Sequence, residues 1–435
     1  MIMIAERIRN IMSSRLVRHS AVYALCDGIN RAIPFLLLPL ITYYLTPADY
    51  GTVTNFNVYM QILACFCYSC TATAVPVMYH KSSRDELRSF VSNMILINTA
   101  ATILCAIVSV PLFGPVERGL DLPWNFQLYA LATVWFTGIS TINMTLWRCE
   151  ERPAAFGIYQ ISQSALNAAV TVVLVVVLLL GWQGRVYAMM AAAILFGAAS
   201  LVILYRKGFL SSPPNAAHMR RIAVFALPIL PHALSFWFRG GVDKILLTNI
   251  CGMAENGLYS VAMTWGAVVT MFLTAFNNAY VPYLYEKLAI IEKEPGEASR
   301  PLQLRIVRLI RESSLLTVLF VAAAYFVSAF LIKAVYSESF HAAVAFLPWV
   351  MLGQLFHGIY LMFVCFAHYT FHTKQLGIIT FSLSLLQIGI SWTLIRIAGA
   401  AGAALSSCIV GLLTCLCVSR LAMKVFPLPW NRLLH

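Results

Sequence analysis

Charge is scarce in this 435-residue chain: Asp, Glu, Lys and Arg make up 11% and hydrophobic residues 60%. A soluble domain carries about a quarter charged residues, so one water-exposed globule is excluded and an integral membrane protein is implied. Long polar intervals are missing too. The longest charged stretch between apolar segments is residues 285–311, which leaves no room for a large soluble domain. No large external loop, no nucleophile beside a base and no metal-ligand spacing is present, which speaks against a membrane polymerase or acyltransferase. Strict alternation of polar and apolar residues is absent, which speaks against a β-barrel. The 11 cysteines form no disulfide framework. Cys65, Cys67 and Cys70 cluster without a nearby His or acid and read as small packing residues. Cys149 and Cys251 approach opposite membrane faces. No metal and no cofactor is expected.

Twelve apolar segments are present, near 19–45, 51–78, 90–113, 125–147, 154–180, 185–205, 222–250, 257–284, 309–333, 342–369, 375–396 and 400–420. Each approaches the ~20 residues that cross a bilayer core as a helix. The expected fold is an all-α polytopic membrane protein of about twelve transmembrane helices, in two six-helix halves around a central cavity. The N-terminal bundle is 1–205, a cytoplasmic linker 206–221 holds Ser211-Ser212-Pro213-Pro214, and the C-terminal bundle is 222–435. Basic residues are strongly sided. With both ends on one face, 23 of the 30 Lys and Arg fall on that face and 4 on the other. The positive-inside rule then places both termini in the cytoplasm, with the chain in the cell inner (plasma) membrane. The net charge of +13 is mostly loop charge facing anionic lipid, so nucleic acid is not needed to explain it. The basic N-terminal stretch runs into a full span and does not read as a cleavable signal.

The halves echo each other. Thr46-Pro47-Ala48-Asp49-Tyr50-Gly51 joins the first two spans, and Gly252-Met253-Ala254-Glu255-Asn256-Gly257 joins the seventh and eighth. The longest external connection is expected at Gly114 to Trp124. Pro34 and Pro39 fall in the first span; Pro228, Pro231 and the pair Gly240-Gly241 interrupt the seventh. Such residues free backbone groups, either to line a cavity or merely to kink a packed helix.

Three basic residues lie inside spans: Arg31, Arg239 and Lys244. Arg31 is roughly 20 Å in, counted from Arg18, and Arg239 roughly 27 Å in, counted from Arg221. Buried charge is costly and marks pathways by default. Asp27 precedes Arg31 by one turn, and Asp243 follows Arg239 by one turn. Two readings follow: self-neutralising intrahelical pairs, or a cavity with net charge +1 that suits an anionic group such as a diphosphate. Asp27 and Asp243 are also candidates to couple an ion, H+ or Na+, although a nearby Arg weakens the proton-carrier idea. In the fifth span Gln160, Gln163, Ser164, Asn167 and Thr171 form one polar stripe. It serves as interhelical glue or as a sugar-contacting wall. Asn277, Asn278 and Tyr280, then Gln354, His357 and Tyr360, add polar groups to later spans, while His232 and His357 read as core histidines. Leu302 to Arg311 is basic and amphipathic, either a surface helix holding lipid head groups or the solvated start of the ninth span.

Leu45 to Gly51, Val242-Asp243-Lys244 with Gly257 to Ala262, and Tyr280-Val281-Pro282-Tyr283-Leu284-Tyr285-Glu286 resemble the polysaccharide-biosynthesis flippases. Those belong to the multidrug/oligosaccharidyl-lipid/polysaccharide exporter superfamily. The resemblance implies a non-enzymatic flippase for a polyprenyl-diphosphate-linked oligosaccharide, such as O-antigen units of lipopolysaccharide. It implies membrane lipid, a coupling cation and the polysaccharide polymerase machinery as partners. It assigns the diphosphate to Arg31, Arg239 and Lys244; the polar stripe, by its spacing, offers Gln160, Gln163 and Asn167 as sugar contacts. A cation-coupled multidrug antiporter of the same superfamily is the alternative; the net positive cavity speaks against it.

Overall fold

The computed structural model describes residues 15–210, 213–293 and 297–433, except the side chains of 15–21, His232, Ser235, Phe236, Arg239, 432 and 433. Every regular element among them is helical. Thirteen helices carry the fold. They are α1 (Arg15–Thr42), α2 (Pro47–Lys81, with a π turn at Cys65–Ser69), α3 (Arg84–Leu120), α4 (Trp124–Cys149), α5 (Pro153–Thr171, ending in a π turn at Val172–Val177) and α6 (Gly181–Arg206). Then come α7 (Ala216–Ala226), α8 (Leu230–Ile250), α9 (Met253–Lys293), α10 (Arg300–Val335), α11 (Leu347–Tyr369), α12 (Thr373–Ala398) and α13 (Ala400–Val425). Ten helical segments are long and apolar enough to cross a membrane. The two remaining expected spans fall on α4 and on α7–α8. There the apolar run is diluted by Gln127, Thr133, Thr137, Ser140 and Asn143 in α4, and by Arg239, Asp243 and Lys244 in α8.

Helix starts follow local chemistry. Thr46 and Asp49 form a capping box at α2: the Thr46 backbone N donates to Asp49 Oδ2 (2.9 Å), and the Asp49 N donates to Thr46 Oγ1 (3.1 Å). In the echoing turn Gly252 adopts φ +95°, a conformation open to glycine, before α9 begins. Ser83 caps α3, with Asp85 and Glu86 complementing the helix dipole in its first turn.

Two expectations are corrected. The connection near Gly114 is not a long loop, because α3 stays helical through Pro111 and Pro115 to Leu120. Side chains bond carbonyls at its end and in the turn after it: Gln127 Nε2 donates to Phe113 O (3.1 Å) and Leu122 O (2.9 Å), and Asn55 Nδ2 to Leu120 O (2.7 Å). The seventh span is broken once, not twice. Leu227–Ile229 is a 3-10 turn with Pro228 at its start, whereas α8 runs unbroken through Gly240 and Gly241. The first span also stays one helix, with Pro34 and Pro39 inside it. Leu302 to Arg311 is no separate surface helix but the opening turns of α10.

The chain divides into two compact units, Met1–Trp237 and Phe238–His435. In the first, Val91, Met94, Ile142, Leu146 and Leu204 form a buried core where α3, α4 and α6 meet. Asn215 caps α7 and fixes it to α3, its N donating to Asn93 Oδ1 (2.7 Å). In the second unit, Leu284, Ile306, Ile310, Phe366 and Val418 join α9, α10, α11 and α13.

Candidate functional site

The polar stripe of α5 lines a cavity of about 380 Å³ within the first unit. Gln160, Gln163, Ser164 and Asn167 share its wall with Asn30 of α1, Asn57 and Gln61 of α2 and Thr133 and Thr137 of α4. Close packing of α1 on α5 explains this placement: any side chain on Gly157 would collide with Cys26 Sγ. That approach brings Ser164 Oγ into a hydrogen bond with Asn30 Oδ1. It also lets Gln160 Nε2 donate to Asp27 Oδ1 at 3.1 Å. The stripe therefore faces protein and cavity, as an amide row in a membrane helix must.

Among the described residues no ion pair joins Asp27 to Arg31. Asp27 turns to Gln160 instead, and Arg31 is exposed on α1 without a partner among those residues. The self-neutralising reading of this pair is thus corrected: Gln160 supplies a neutral amide donor where Arg31 would have sat. Gln163 lines the cavity without a hydrogen-bond partner among the described residues, whereas Asn167 is engaged.

Asn167 is engaged by a residue at the outer edge of the sixth apolar segment, counted with the outer-face charges. Arg185 sits one turn into α6, and its Nη1 donates to Asn167 Oδ1 (2.6 Å) and Thr171 Oγ1 (2.7 Å). The tight connection of α5 to α6 brings these helix ends together. The signal was legible: Asn167 and Thr171, one turn apart at the end of α5, face the first turn of the next helix. Asp27 and Arg185 thus mark opposite ends of the stripe, with neutral amides and hydroxyls between them. Amides donate and accept, which is the chemistry that sugar hydroxyls need.

The second unit holds a different device. Asp243 of α8 is only 2% exposed. Its carboxylate accepts from Ser391 Oγ (2.6 Å) and Gln387 Nε2 (3.0 Å) of α12 and from Ser407 Oγ (3.1 Å) of α13. Ser391 and Ser406 also share a hydrogen bond (2.7 Å). A turn at Gly399 (φ +60°) folds α12 back on α13, which lets both helices present hydroxyls to one carboxylate. The half-buried Lys244 is its neighbour in sequence. The side chains of Arg239 and His232 lie outside the described ones. Further along, Thr270 Oγ1 donates to Gln354 Oε1, Cys365 Sγ to Asn277 Oδ1 (3.7 Å), and His357 stacks on Tyr360. Gln354 and Asn277 thus act in α9–α11 packing.

A family model described as "Polysaccharide biosynthesis protein" matches residues 16–287. The chain belongs to the polysaccharide biosynthesis protein family. Among its relatives is the "Lsg locus putative protein 1" of Haemophilus influenzae, 23% identical over 284 residues, 63% of this chain and 67% of that protein. An "Uncharacterized membrane protein" of the same organism is 22% identical, over 63% of this chain and 66% of its own length. The fold is similar to that of a solved lipid II flippase MurJ in an inward closed conformation: TM-score 0.66, 14% identity, 94% of this chain and 88% of that one. It is also similar to an inward-facing multidrug resistance MATE family transporter of the MOP superfamily: TM-score 0.63, 15% identity, 93% and 94% covered. At these identities the likeness establishes the fold. The family resemblance read from Leu45 to Gly51 and the later motifs is thereby shown.

Proposed function

We propose that this polysaccharide-biosynthesis family member is a flippase, not an enzyme. It carries a polyprenyl-diphosphate-linked oligosaccharide, such as an O-antigen or exopolysaccharide repeat unit, from the cytoplasmic to the periplasmic leaflet of the inner membrane. The carrying observation is the α5 amide wall, a cavity lined by neutral donors and acceptors in a chain of this family. Gln160, Gln163 and Asn167 contact sugar, while Arg31, Arg239 and Lys244 screen the phosphates. Two six-helix halves, 1–205 and 222–435 joined by 206–221, alternate access by rocking against each other. Asp243, in a shell of oxygen-bearing side chains, holds the coupling cation or proton, and Asp27 is the second candidate. The lipid-linked product passes to the polymerase machinery.

The triple variant R31Q/R239Q/K244Q tests this. Surface polymer is expected to be lost at normal membrane levels of the protein, read by polymer electrophoresis beside an immunoblot. Normal polymer in that strain would overturn the assignment. The MATE likeness favours a cation-coupled multidrug antiporter as second reading. That reading requires raised drug resistance in expressing cells, which the flippase reading does not.

A further inference from the structure

Two cavities follow one another along the helix pair α9–α10, outside the site described above. The first, about 680 Å³, is lined by Tyr283 of α9 and by Pro301, Leu304, Arg305, Arg308, Leu309 and Glu312 of α10. The second, about 270 Å³, begins at Ser313 and is walled by Phe272, Phe276, Leu316 and Phe320. Glu312 lines the one and Ser313 the other, so headgroup-sized basic space and apolar space are neighbours along α10.

Register makes the alignment systematic. Positions 301, 305, 308, 312, 316 and 320 recur at the helical period and form one face of α10. Positions 272, 276 and 283 do the same on α9. After Glu312, α10 carries no charge until Lys333, an interval that spans a bilayer core at ~1.5 Å per residue. Arg305 and Arg308 therefore fall at the level of lipid head groups, with the Phe276–Phe320 groove in the first turns of the hydrocarbon. Both arginines are exposed, and neither has an ion-pair or hydrogen-bond partner among the described residues. Lys287 is already engaged, bonded to Glu286 (2.8 Å) and set over the Tyr283 ring (5.5 Å). The first cavity thus presents two guanidinium groups and one carboxylate, a net charge of +1.

We propose that this helix pair binds an anionic glycerophospholipid. Its phosphate sits on Arg305 and Arg308, a headgroup hydroxyl donates to Glu312, and one acyl chain fills the Phe276–Phe320 groove. Guanidinium forks suit phosphate, and Glu312 supplies an acceptor that a phosphatidylglycerol headgroup can use. The apolar groove selects a chain-bearing ligand over free phosphate.

Native mass spectrometry of the full chain in detergent tests the assignment, after delipidation and resupply with phosphatidylglycerol, phosphatidylcholine or glycerol phosphate. Phosphatidylglycerol is expected to be retained, and glycerol phosphate not to compete. R305Q/R308Q is expected to weaken retention about thirtyfold, at about fivefold per basic group near a lipid surface. R311Q removes a neighbouring exposed charge that does not line the cavity and is expected to weaken retention less than R305Q or R308Q alone. L316Q, on an exposed groove position, weakens it severalfold through the apolar part alone. Equal retention of phosphatidylcholine, equal loss in R311Q, or unaltered binding in both R305Q/R308Q and L316Q would overturn the proposal.

Discussion

Asp243→Asn separates a structural from a functional role for the buried carboxylate. The side chain is 2% exposed and receives three hydrogen bonds. In membrane interiors such bonds average about 0.6 kcal/mol, so the set contributes on the order of 2 kcal/mol. Desolvating a carboxylate costs several kcal/mol even after relaxation. Asparagine keeps the volume and removes that cost. Its Oδ1 still accepts from Ser391, its amide donates to a rotated Ser407 hydroxyl, and Gln387 can turn its own amide to match. Most of the bonds therefore survive as neutral ones, and the desolvation gain exceeds what is lost. D243N is expected to be at least as heat-resistant as the parent in detergent while failing to support surface polymer. The measurements are the temperature at which half the protein leaves the monodisperse peak, and polymer levels in a complemented deletion strain. Wild-type polymer from D243N would refute the reasoning about charge. A D243N protein several degrees less stable than the parent would refute the comparison of magnitudes.

R185A removes the donor to Asn167 and Thr171 and is expected to cost about 1–3 kcal/mol; thermal retention of the purified protein checks it, and an unchanged value would deny the bond any weight. G402A places a Cβ against the Leu394 backbone at the α12–α13 turn, where no flexible side chain can yield, and is expected to cost on the order of 2–4 kcal/mol. G377A, on the same α12 helix with open space around it, is expected to be neutral or to gain up to about 1 kcal/mol from helix propensity. Similar heat resistance for these two glycine variants would contradict the packing of the α12–α13 hairpin.

Hydropathy placed the spans because a bilayer allows backbone to cross only when its polar groups are satisfied internally. Twelve apolar segments were therefore legible without a fold, as was the break at Pro228, where the missing N–H leaves a 3-10 turn. The α5 stripe was legible too, since five polar residues at helical spacing on an aliphatic helix must avoid lipid. What each residue touches was not legible. Asp27 has Arg31 one turn away in sequence, yet its carboxylate meets Gln160 from another helix. Arg185 counted as an outer-face charge, yet it closes one end of the stripe. Asp243 has Arg239 one turn away in sequence, and nothing in that spacing points to the two serines and the glutamine of α12 and α13 that bond its carboxylate.

The amino-acid order alone determined that the chain is helical and rich in membrane-length apolar segments, and which helix bears an amide row, because these depend on residues within a few turns. Tertiary packing decided which polar groups meet. A hydrogen bond between helices depends on their rotation and depth relative to each other, set by contacts such as Gly157 on Cys26, and spacing along one helix carries no record of its neighbour's phase.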